Sequence, residues 1–221
     1  MFDKRVTLFA GHYGSGKTNI AVNCALAIKK SGADVVIADL DIVNPYFRTK
    51  DSADELKKAG IPLISSAYAN SNVDIPALPQ EMYAVTDDRS KRAVLDIGGD
   101  DRGATALGRI APAILEENDY EMLAVVNFYR PLTRKAEEAL EVMREVEVAA
   151  HLPFTGIVNN SNLGEETSAT DVLATVEEVE RLSAISGLPV RFTSVTAKLV
   201  PALEGKIANL FPLHLQEKYY K

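Results

Sequence analysis

The chain has 221 residues, a formal net charge of −7 and 47% hydrophobic residues, which is enough apolar content for a sizeable core and argues against disorder. The acidic balance and the lack of a basic run argue against nucleic acid as a partner. Cys24 is the only cysteine, so a disulfide within the chain and a cysteine-pair metal site are both excluded.

No apolar run approaches the roughly 18 residues that a membrane span needs. Residues 1–4 lead directly into an apolar strand, without the pattern of a signal peptide. We therefore expect a cytoplasmic protein with no membrane span. The length fits one large domain or two small ones, and we expect one domain over residues 1–221 because no linker or repeat interrupts the chain.

The first elements are a strand, a glycine-rich loop and a helix. Residues 5–9 form a short apolar run that is typical of a buried strand. The loop that follows, Gly11-His12-Tyr13-Gly14-Ser15-Gly16-Lys17-Thr18, matches the phosphate-binding pattern G-x-x-x-x-G-K-[ST]. In the next segment apolar residues recur on one helical stripe up to Ile28, and Gly32 lies where a C-cap glycine is expected. Strand, loop and helix are the context that this motif requires.

The residue types in this loop suit phosphate chemistry. Gly11, Gly14 and Gly16 let phosphate oxygens approach backbone N–H groups, which together with the helix N-terminus form an anion site. Lys17 places a positive charge on the β- and γ-phosphates, and Thr18 offers a hydroxyl to Mg²⁺. The loop therefore predicts a site for a nucleoside triphosphate with its magnesium ion.

The remainder of the chain alternates apolar strands with amphipathic helices. The predicted strands cover residues 35–38, 61–64, 93–97, 122–126, 154–158 and 190–193. The predicted helices cover 52–59, 75–85, 104–117, a segment with Pro131 in its first turn, a segment capped by Thr170, and 197–210. This alternation predicts an α/β fold with a mostly parallel sheet of about seven strands and helices on both faces. Ligand sites in such sheets lie at the carboxyl ends of the strands.

Acidic side chains end two of the predicted strands. Asp96 follows the apolar run 93–95 and precedes Gly98-Gly99, as expected for an acid that holds Mg²⁺ directly or through water. Asp39 and Asp41 end the second strand, and their spacing of two places both side chains on one side of an extended segment. One of them could lie near Mg²⁺ while the other orients the attacking water. The alternative is that these aspartates only form polar turns.

Asparagines end the sixth predicted strand. A side-chain amide there has one donor and one acceptor to offer, which matches the edge of adenine. A guanine site of the common kind would show Asn-Lys-x-Asp, whereas this chain has Asn159-Asn160-Ser161-Asn162. ATP is therefore favoured over GTP as the nucleotide. An ordinary asparagine-rich turn is the alternative.

Together these residues resemble the SIMIBI class of P-loop NTPases, specifically the MinD/ParA/CobQ/CobB group that includes the nitrogenase iron protein. The resemblance covers most of the chain and implies a three-layer P-loop fold with Mg²⁺-dependent ATP hydrolysis. It also implies switching that is coupled to a protein partner, often through a homodimer. By the same resemblance Asp41 positions the hydrolytic water, Asp39 and Asp96 serve Mg²⁺, and Asn160 reads adenine.

The chain departs from that group at two positions of the loop. The group has a signature lysine one residue after the first glycine, which reaches into the partner subunit, and here that residue is His12. Tyr13 replaces a glycine. Histidine has an unperturbed pKa of about 6.5, so we expect the charge at this position to depend on pH.

The sequence leaves two other functions open. A ligase of the CobQ/CobB or dethiobiotin-synthetase type would phosphorylate a small carboxylic acid, and residues 66–75, with Tyr68, Asn70 and Asn72, would line its substrate pocket. A module that binds ATP without turnover would need the same loop. We expect the ATPase, acting with an unidentified protein partner.

Overall fold

The computed structural model describes residues 1–40, 52–65, 80–98 and 101–215. Within these ranges the strands form one eight-stranded sheet of order β3-β2-β4-β1-β5-β6-β7-β8, and every neighbouring pair is parallel. The strands are β1 Val6–Ala10, β2 Val35–Leu40, β3 Leu63–Ser65, β4 Arg92–Ile97, β5 Tyr120–Val126, β6 Gly156–Asn159, β7 Val190–Thr196 and β8 Leu210–Leu213. The prediction of a parallel α/β sheet is confirmed, with eight strands in place of seven.

Helices cover both faces of the sheet, as predicted. They are α1 Lys17–Lys30, α2 Ala53–Lys58, α3 Ala84–Asp87, α4 Asp101–Gly108, α5 Ala111–Glu117, α6 Ala136–Ala150, α7 Ala169–Leu173, α8 Val176–Ser186 and α9 Val200–Leu203. Strands alternate their side chains between the two layers: Leu8 and Ala10 pack in the cluster that contains α4, α5, α6 and α8, while Phe9 packs against α1. Both faces of the central strands are thus buried, which explains their continuous apolar runs.

The helix predicted over 197–210 is wrong beyond its first residues. A 3₁₀ turn at Ala197–Leu199 leads into α9, which ends because Glu204 has extended backbone angles (φ −56°, ψ 132°). Residues 210–213 instead form β8, parallel to β7. Pro212 cannot donate a ladder hydrogen bond, and it is tolerated because β8 is an edge strand. The apolar spacing in this segment fits a helix, but pairing with β7 overrides it.

The helix predicted to start near Pro131 is also misplaced. Leu132 has a φ of +64°, in the left-handed region, which a right-handed helix does not allow. The hydroxyl of Thr133 donates to the carbonyl oxygen of Asn127 at 2.8 Å and holds this segment as a loop. The helix α6 therefore begins only at Ala136.

Two further predicted helices are each divided in two. Ser168, not Thr170, is the N-cap of the first half of the later segment: its Oγ accepts from the Asp171 N–H at 3.3 Å, while the Asp171 carboxylate accepts from the Ser168 N–H at 2.8 Å. In the segment predicted over 104–117, Pro112 lies in the first turn of α5, a position it suits but from which it could not extend α4. Across the described ranges no helix is long and apolar enough to cross a membrane.

Candidate functional site

The glycine-rich loop lies between the end of β1 and the start of α1, at the carboxyl edge of the sheet. At two positions of the loop a glycine is required, because atoms of neighbouring segments come too close for a Cβ. A Cβ on Gly11 would lie 2.4 Å from the carbonyl oxygen of Val125 on β5, and a Cβ on Gly16 would lie 2.2 Å from Nδ2 of Asn160. Gly16, with a φ of +90°, is also the N-cap residue of α1. The loop is therefore held between β5 on one side and the segment after β6 on the other.

Lys17 and Thr18 are the first two residues of α1, and both are buried. The ammonium group of Lys17 donates to the carbonyl oxygen of His12 at 3.3 Å, so the side chain folds back over the loop. No acidic residue lies in the first turn of α1, which leaves the positive end of the helix dipole for an anionic ligand. The strand, loop and helix follow one another as the sequence predicts, and the binding of phosphate by this loop stays a prediction.

The side chain of His12 bonds to the loop backbone, whereas the side chain of Tyr13 is exposed. The Nδ1 atom of His12 lies 3.0 Å from the carbonyl oxygen of Tyr13, a hydrogen bond that requires the proton on Nδ1 because a carbonyl only accepts. Tyr13 is 54% exposed and lines the cavity beside the loop. The pH-dependent charge at position 12 stays a prediction.

A cavity of about 420 Å³ runs from the loop across the ends of β6 and β7 to the residues after β8. Its polar end is formed by residues of the loop and of α1, including Lys17 and Thr18. The rest of the cavity is lined by the apolar side chains Val172, Val195, Leu199, Leu213 and Leu215, together with polar residues that include Glu165, Thr167 and Thr196. Of the predicted site residues in the described part of the chain, Tyr13, Gly14, Gly16, Lys17, Thr18 and Asn160 line this cavity, whereas Gly11, His12, Ser15, Asp39 and Asp96 do not.

Asp39 and Asp96 lie side by side. They are register partners on the neighbouring strands β2 and β4, and both are buried. The two carboxylates and the hydroxyl of Thr18 offer only oxygen donors, which suits Mg²⁺ and its preference for few protein ligands beside phosphate. Among the residues that the structure describes, no group of three His, Cys, Asp or Glu side chains forms a metal site by itself. The residues present therefore fit a magnesium ion that is shared with a bound nucleotide.

Several predicted residues lie outside the described ranges. These are Asp41 and residues 66–75 with Tyr68, Asn70 and Asn72. Their predicted roles stay predictions.

Asn160 joins three elements of the site. Its Nδ2 donates to the carbonyl oxygen of Ser15 in the loop at 2.6 Å, and its Oδ1 accepts from the hydroxyl of Ser194 on β7 at 2.7 Å. The side chain of Asn159 also forms hydrogen bonds within the protein. Its Oδ1 accepts from the Ser161 N–H at 3.1 Å, and its Nδ2 donates to the hydroxyl of Thr175. The adenine-reading role of Asn160 stays a prediction, and the amide would have to use its second N–H or its second lone pair.

Sequence reasoning missed other residues that line the cavity. Arg130, on the loop after β5, reaches the glycine-rich loop, and Thr196 ends β7 with a hydroxyl that is buried without a hydrogen-bond partner in the described part of the chain. Leu213 and Leu215 lie beyond the helix predicted over 197–210, and they line the cavity because the chain continues there into β8 and the residues after it. The signal that could have found Ser194 and Thr196 is the series of hydroxyl side chains at the carboxyl end of β7.

Comparison with solved structures shows the same fold in signal recognition particle proteins. The receptor FtsY from Elizabethkingia anophelis, in complex with GDP, is 16% identical with a TM-score of 0.51, and the match covers 86% of this chain and 57% of that one. The cell division protein FtsY from Thermotoga maritima is 18% identical with a TM-score of 0.58, covering 86% and 61%. Chloroplast FtsY from Physcomitrella patens is 18% identical with a TM-score of 0.58, covering 85% and 57%.

The likeness concerns the fold. No protein-family model matches the chain, and a search of curated proteins finds no match. The chain spans between 57% and 61% of the length of these three structures. The predicted α/β fold of the P-loop NTPase type, a parallel sheet with helices on both faces, is confirmed by this likeness.

Proposed function

We propose that this protein is a Mg²⁺-dependent ATPase of the MinD/ParA-like kind, which couples ATP hydrolysis to a protein partner. The observation that carries the proposal is the phosphate-binding loop opening onto a cavity of about 420 Å³, with Lys17 at its polar end and apolar side chains at its other end. A triphosphate fits the first end and a planar base fits the second.

The chain's own residues divide the work of such a site. The loop N–H groups and Lys17 bind the phosphates, and Thr18, Asp39 and Asp96 would hold Mg²⁺. The metal ion supplies positive charge that neutralises the phosphate oxygens. Asp41 would orient the attacking water. Catalysis in such sites depends mainly on positioning and charge stabilisation, so these few residues are sufficient for slow hydrolysis.

ATP is proposed over GTP because the Asn159-Asn160-Ser161-Asn162 segment lacks the acidic residue of the common guanine motif. The hydroxyl of Thr196, buried without a hydrogen-bond partner in the described part of the chain, would contact the base, and Asn160 would read it as adenine. The GDP in the E. anophelis FtsY structure makes GTP the nucleotide to compare.

The decisive measurement is calorimetric titration of Mg·ATP and Mg·GTP into the wild type, Lys17→Ala and Lys30→Ala. Loss of Lys17 removes the charge over the loop, so we expect ATP affinity to fall about tenfold or more, equivalent to about 1–3 kcal/mol for a charged hydrogen bond. Lys30→Ala is the matched control, because Lys30 is exposed at the opposite end of the same helix. Unchanged ATP affinity in folded Lys17→Ala would contradict the proposed site.

Phosphate release then separates the proposed ATPase from the other functions. Release without a second substrate supports the ATPase. Release only when small carboxylic acids are added would point to the ligase, and tight binding with no release would point to a binding module. Tighter binding of GTP than of ATP would overturn the proposed base preference alone.

A further inference from the structure

Arg130 places a second positive charge at the phosphate-binding loop. It lies on the loop between β5 and α6, and its Nε donates to the carbonyl oxygen of Gly14 at 3.2 Å. A Cβ on Gly14 would have the guanidinium carbon at 3.8 Å, so the group lies directly against the loop. Arg130 lines the same cavity as Lys17 and Thr18.

The segment that carries Arg130 is fixed by hydrogen bonds to its surroundings. The Phe128 N–H donates to the hydroxyl of Ser161 at 3.0 Å, and the Arg130 N–H donates to the carbonyl oxygen of Asn127 at 3.0 Å. The Tyr129 hydroxyl donates to the carbonyl oxygen of Asp171 at 2.9 Å. Burial and the Asp171 carboxylate raise the pKa of Tyr129, so its phenol stays protonated as this donor. The backbone that carries Arg130 is therefore held in place by contacts with two other parts of the chain, the residues after β6 and α7.

The charge of Arg130 is not taken up by a carboxylate in the described part of the protein. Arg5, Arg181 and Arg191 each form an ion pair with a glutamate there, whereas Arg130 forms none. Its two terminal nitrogens also have no hydrogen-bond partner among the described residues, since only Nε is engaged. A guanidinium with two open donors beside a phosphate cradle is suited to binding phosphate oxygens in a fork.

The contacts indicate which phosphates are within reach. Lys17 donates to the carbonyl oxygen of His12, and Arg130 donates to the carbonyl oxygen of Gly14. These two acceptors are two residues apart, so both cations contact the same part of the loop. The lysine of such loops reaches the β- and γ-phosphates, and Arg130 approaches the same part of the loop. The ring of His12, in the place of the signature lysine, instead contacts the carbonyl oxygen of Tyr13.

We propose that Arg130 is a catalytic residue that binds the β- and γ-phosphate oxygens from within the same chain. In hydrolysis the water oxygen bonds to the γ-phosphorus while the bond from that phosphorus to the β–γ bridging oxygen breaks. The electron pair stays on ADP, and the water proton leaves with phosphate or to solvent. Arg130 stabilises the negative charge on these oxygens, the task that a partner subunit's lysine has in the resembling group. This inference rests on the proposed nucleotide site.

The test compares the wild type with Arg130→Ala, Arg130→Lys and the control Arg134→Ala. Arg134 is an exposed arginine four residues further along the same segment, so its variant makes the same charge change away from the loop. Calorimetry measures the affinity for Mg·ATPγS and for Mg·ADP, and steady-state assays with ATP measure kcat and KM. Arg130 is itself exposed, and circular dichroism melts check that each variant folds.

In Arg130→Ala we expect kcat to fall by about 10²–10³-fold, as when one donor to the transition-state charge is removed. Affinity for ATPγS should fall by about tenfold, with a smaller change for ADP, because the γ-phosphate contact exists only in the triphosphate. Arg130→Lys should recover part of both losses, since it keeps the charge without the fork.

Each of the other outcomes contradicts either the role of Arg130 or the nucleotide site itself. If the wild type binds nucleotide and Arg130→Ala matches Arg134→Ala in kcat and in the preference for triphosphate over diphosphate, the role of Arg130 is wrong and the nucleotide site stands. If the wild type binds nucleotide without hydrolysing it, the preference for ATPγS over ADP alone tests the role of Arg130. If the wild type binds no nucleotide, the proposed function fails and the role of Arg130 fails with it.

Discussion

At the scale of single residues, Glu121 is a carboxylate buried inside the sheet. It lies on β5, where its Oε1 accepts from the hydroxyl of Thr7 at 3.2 Å and its Oε2 accepts from Arg191 at 3.1 Å. Burial raises the pKa of Glu121 above the ordinary 4.5, although the charge of Arg191 and the bond from Thr7 oppose the shift. The folded protein therefore binds this proton more tightly than the unfolded chain does.

This raised pKa makes a prediction about stability and pH. A carboxyl group with a higher pKa in the folded state favours folding at low pH, and that contribution is lost as pH rises from about 4.5 through the folded pKa. We expect the free energy of unfolding of the wild type to fall relative to Glu121→Gln as the pH rises above about 4.5. Urea unfolding at several pH values measures this difference. A difference that is constant with pH would contradict it.

The control for this measurement is Glu145→Gln. Glu145 is an exposed glutamate on α6, so the same chemical change is made in contact with water. A pH trend that is equal in both variants would mean that the burial of Glu121 is not its cause.

At the scale of elements, Asn160 ties the glycine-rich loop to β6 and β7. Its side chain connects Ser15 of the loop with Ser194 of β7, two residues that lie 145 and 34 positions away in the sequence. All three residues are buried. The loop therefore depends on the neighbouring strands for its position, and not only on its own glycines.

Removal of this connection should cost stability. Asn160→Ala leaves the Ser15 carbonyl and the Ser194 hydroxyl buried with one partner fewer, so we expect a loss of about 1–3 kcal/mol in the free energy of unfolding. Ser194→Ala should cost less because the bond from Asn160 to the loop remains. The double variant should cost less than the sum of the two, as contacting residues do in a double-mutant cycle. Additive losses in urea unfolding would show that the two side chains act independently.

Element boundaries were predictable wherever a local signal decides them. Apolar runs gave the positions of β1, β2, β4 and β5, and Gly187, with a φ of +73°, ends α8. The segment 197–210 was mispredicted because its apolar spacing is helical, whereas Leu210 is the first residue of a strand that pairs with β7. Strand pairing is a property of the assembled sheet, so no local window contains it.

At the scale of the whole molecule, nucleotide binding should stabilise the fold. Loop, α1 and the segments after β6, β7 and β8 all line the cavity, so a bound nucleotide contacts elements from both ends of the chain. A ligand that binds only the folded state at 100 times its Kd adds about 2.7 kcal/mol.

For a chain of this length, that increment corresponds to a rise in Tm of roughly 5–10 °C. We expect this rise with Mg·ATP in thermal unfolding of the wild type, and a smaller rise for Lys17→Ala at the same ATP concentration. Lys30→Ala should behave as the wild type. An equal rise in Lys17→Ala would place the bound nucleotide away from the loop.

The sequence by itself determined the parts of this protein that depend on local chemistry. The phosphate-binding loop, the strand and helix beside it, and the acidic ends of β2 and β4 are each encoded within a few consecutive residues. Alternation of strands and helices then implied a parallel sheet, because parallel strands need crossover connections. These features require no knowledge of distant contacts.

Tertiary structure alone decided how the site is completed. Arg130 meets Gly14 across 116 residues of sequence, and Asn160 meets Ser15 across 145. In a linear pattern Arg130 is one of many charged residues, and Asn160 is one of several asparagines in a turn. They become specific only when β5 and β6 are placed next to β1 and its loop, because hydrogen bonds are made over about 3 Å in space and not over positions in the chain.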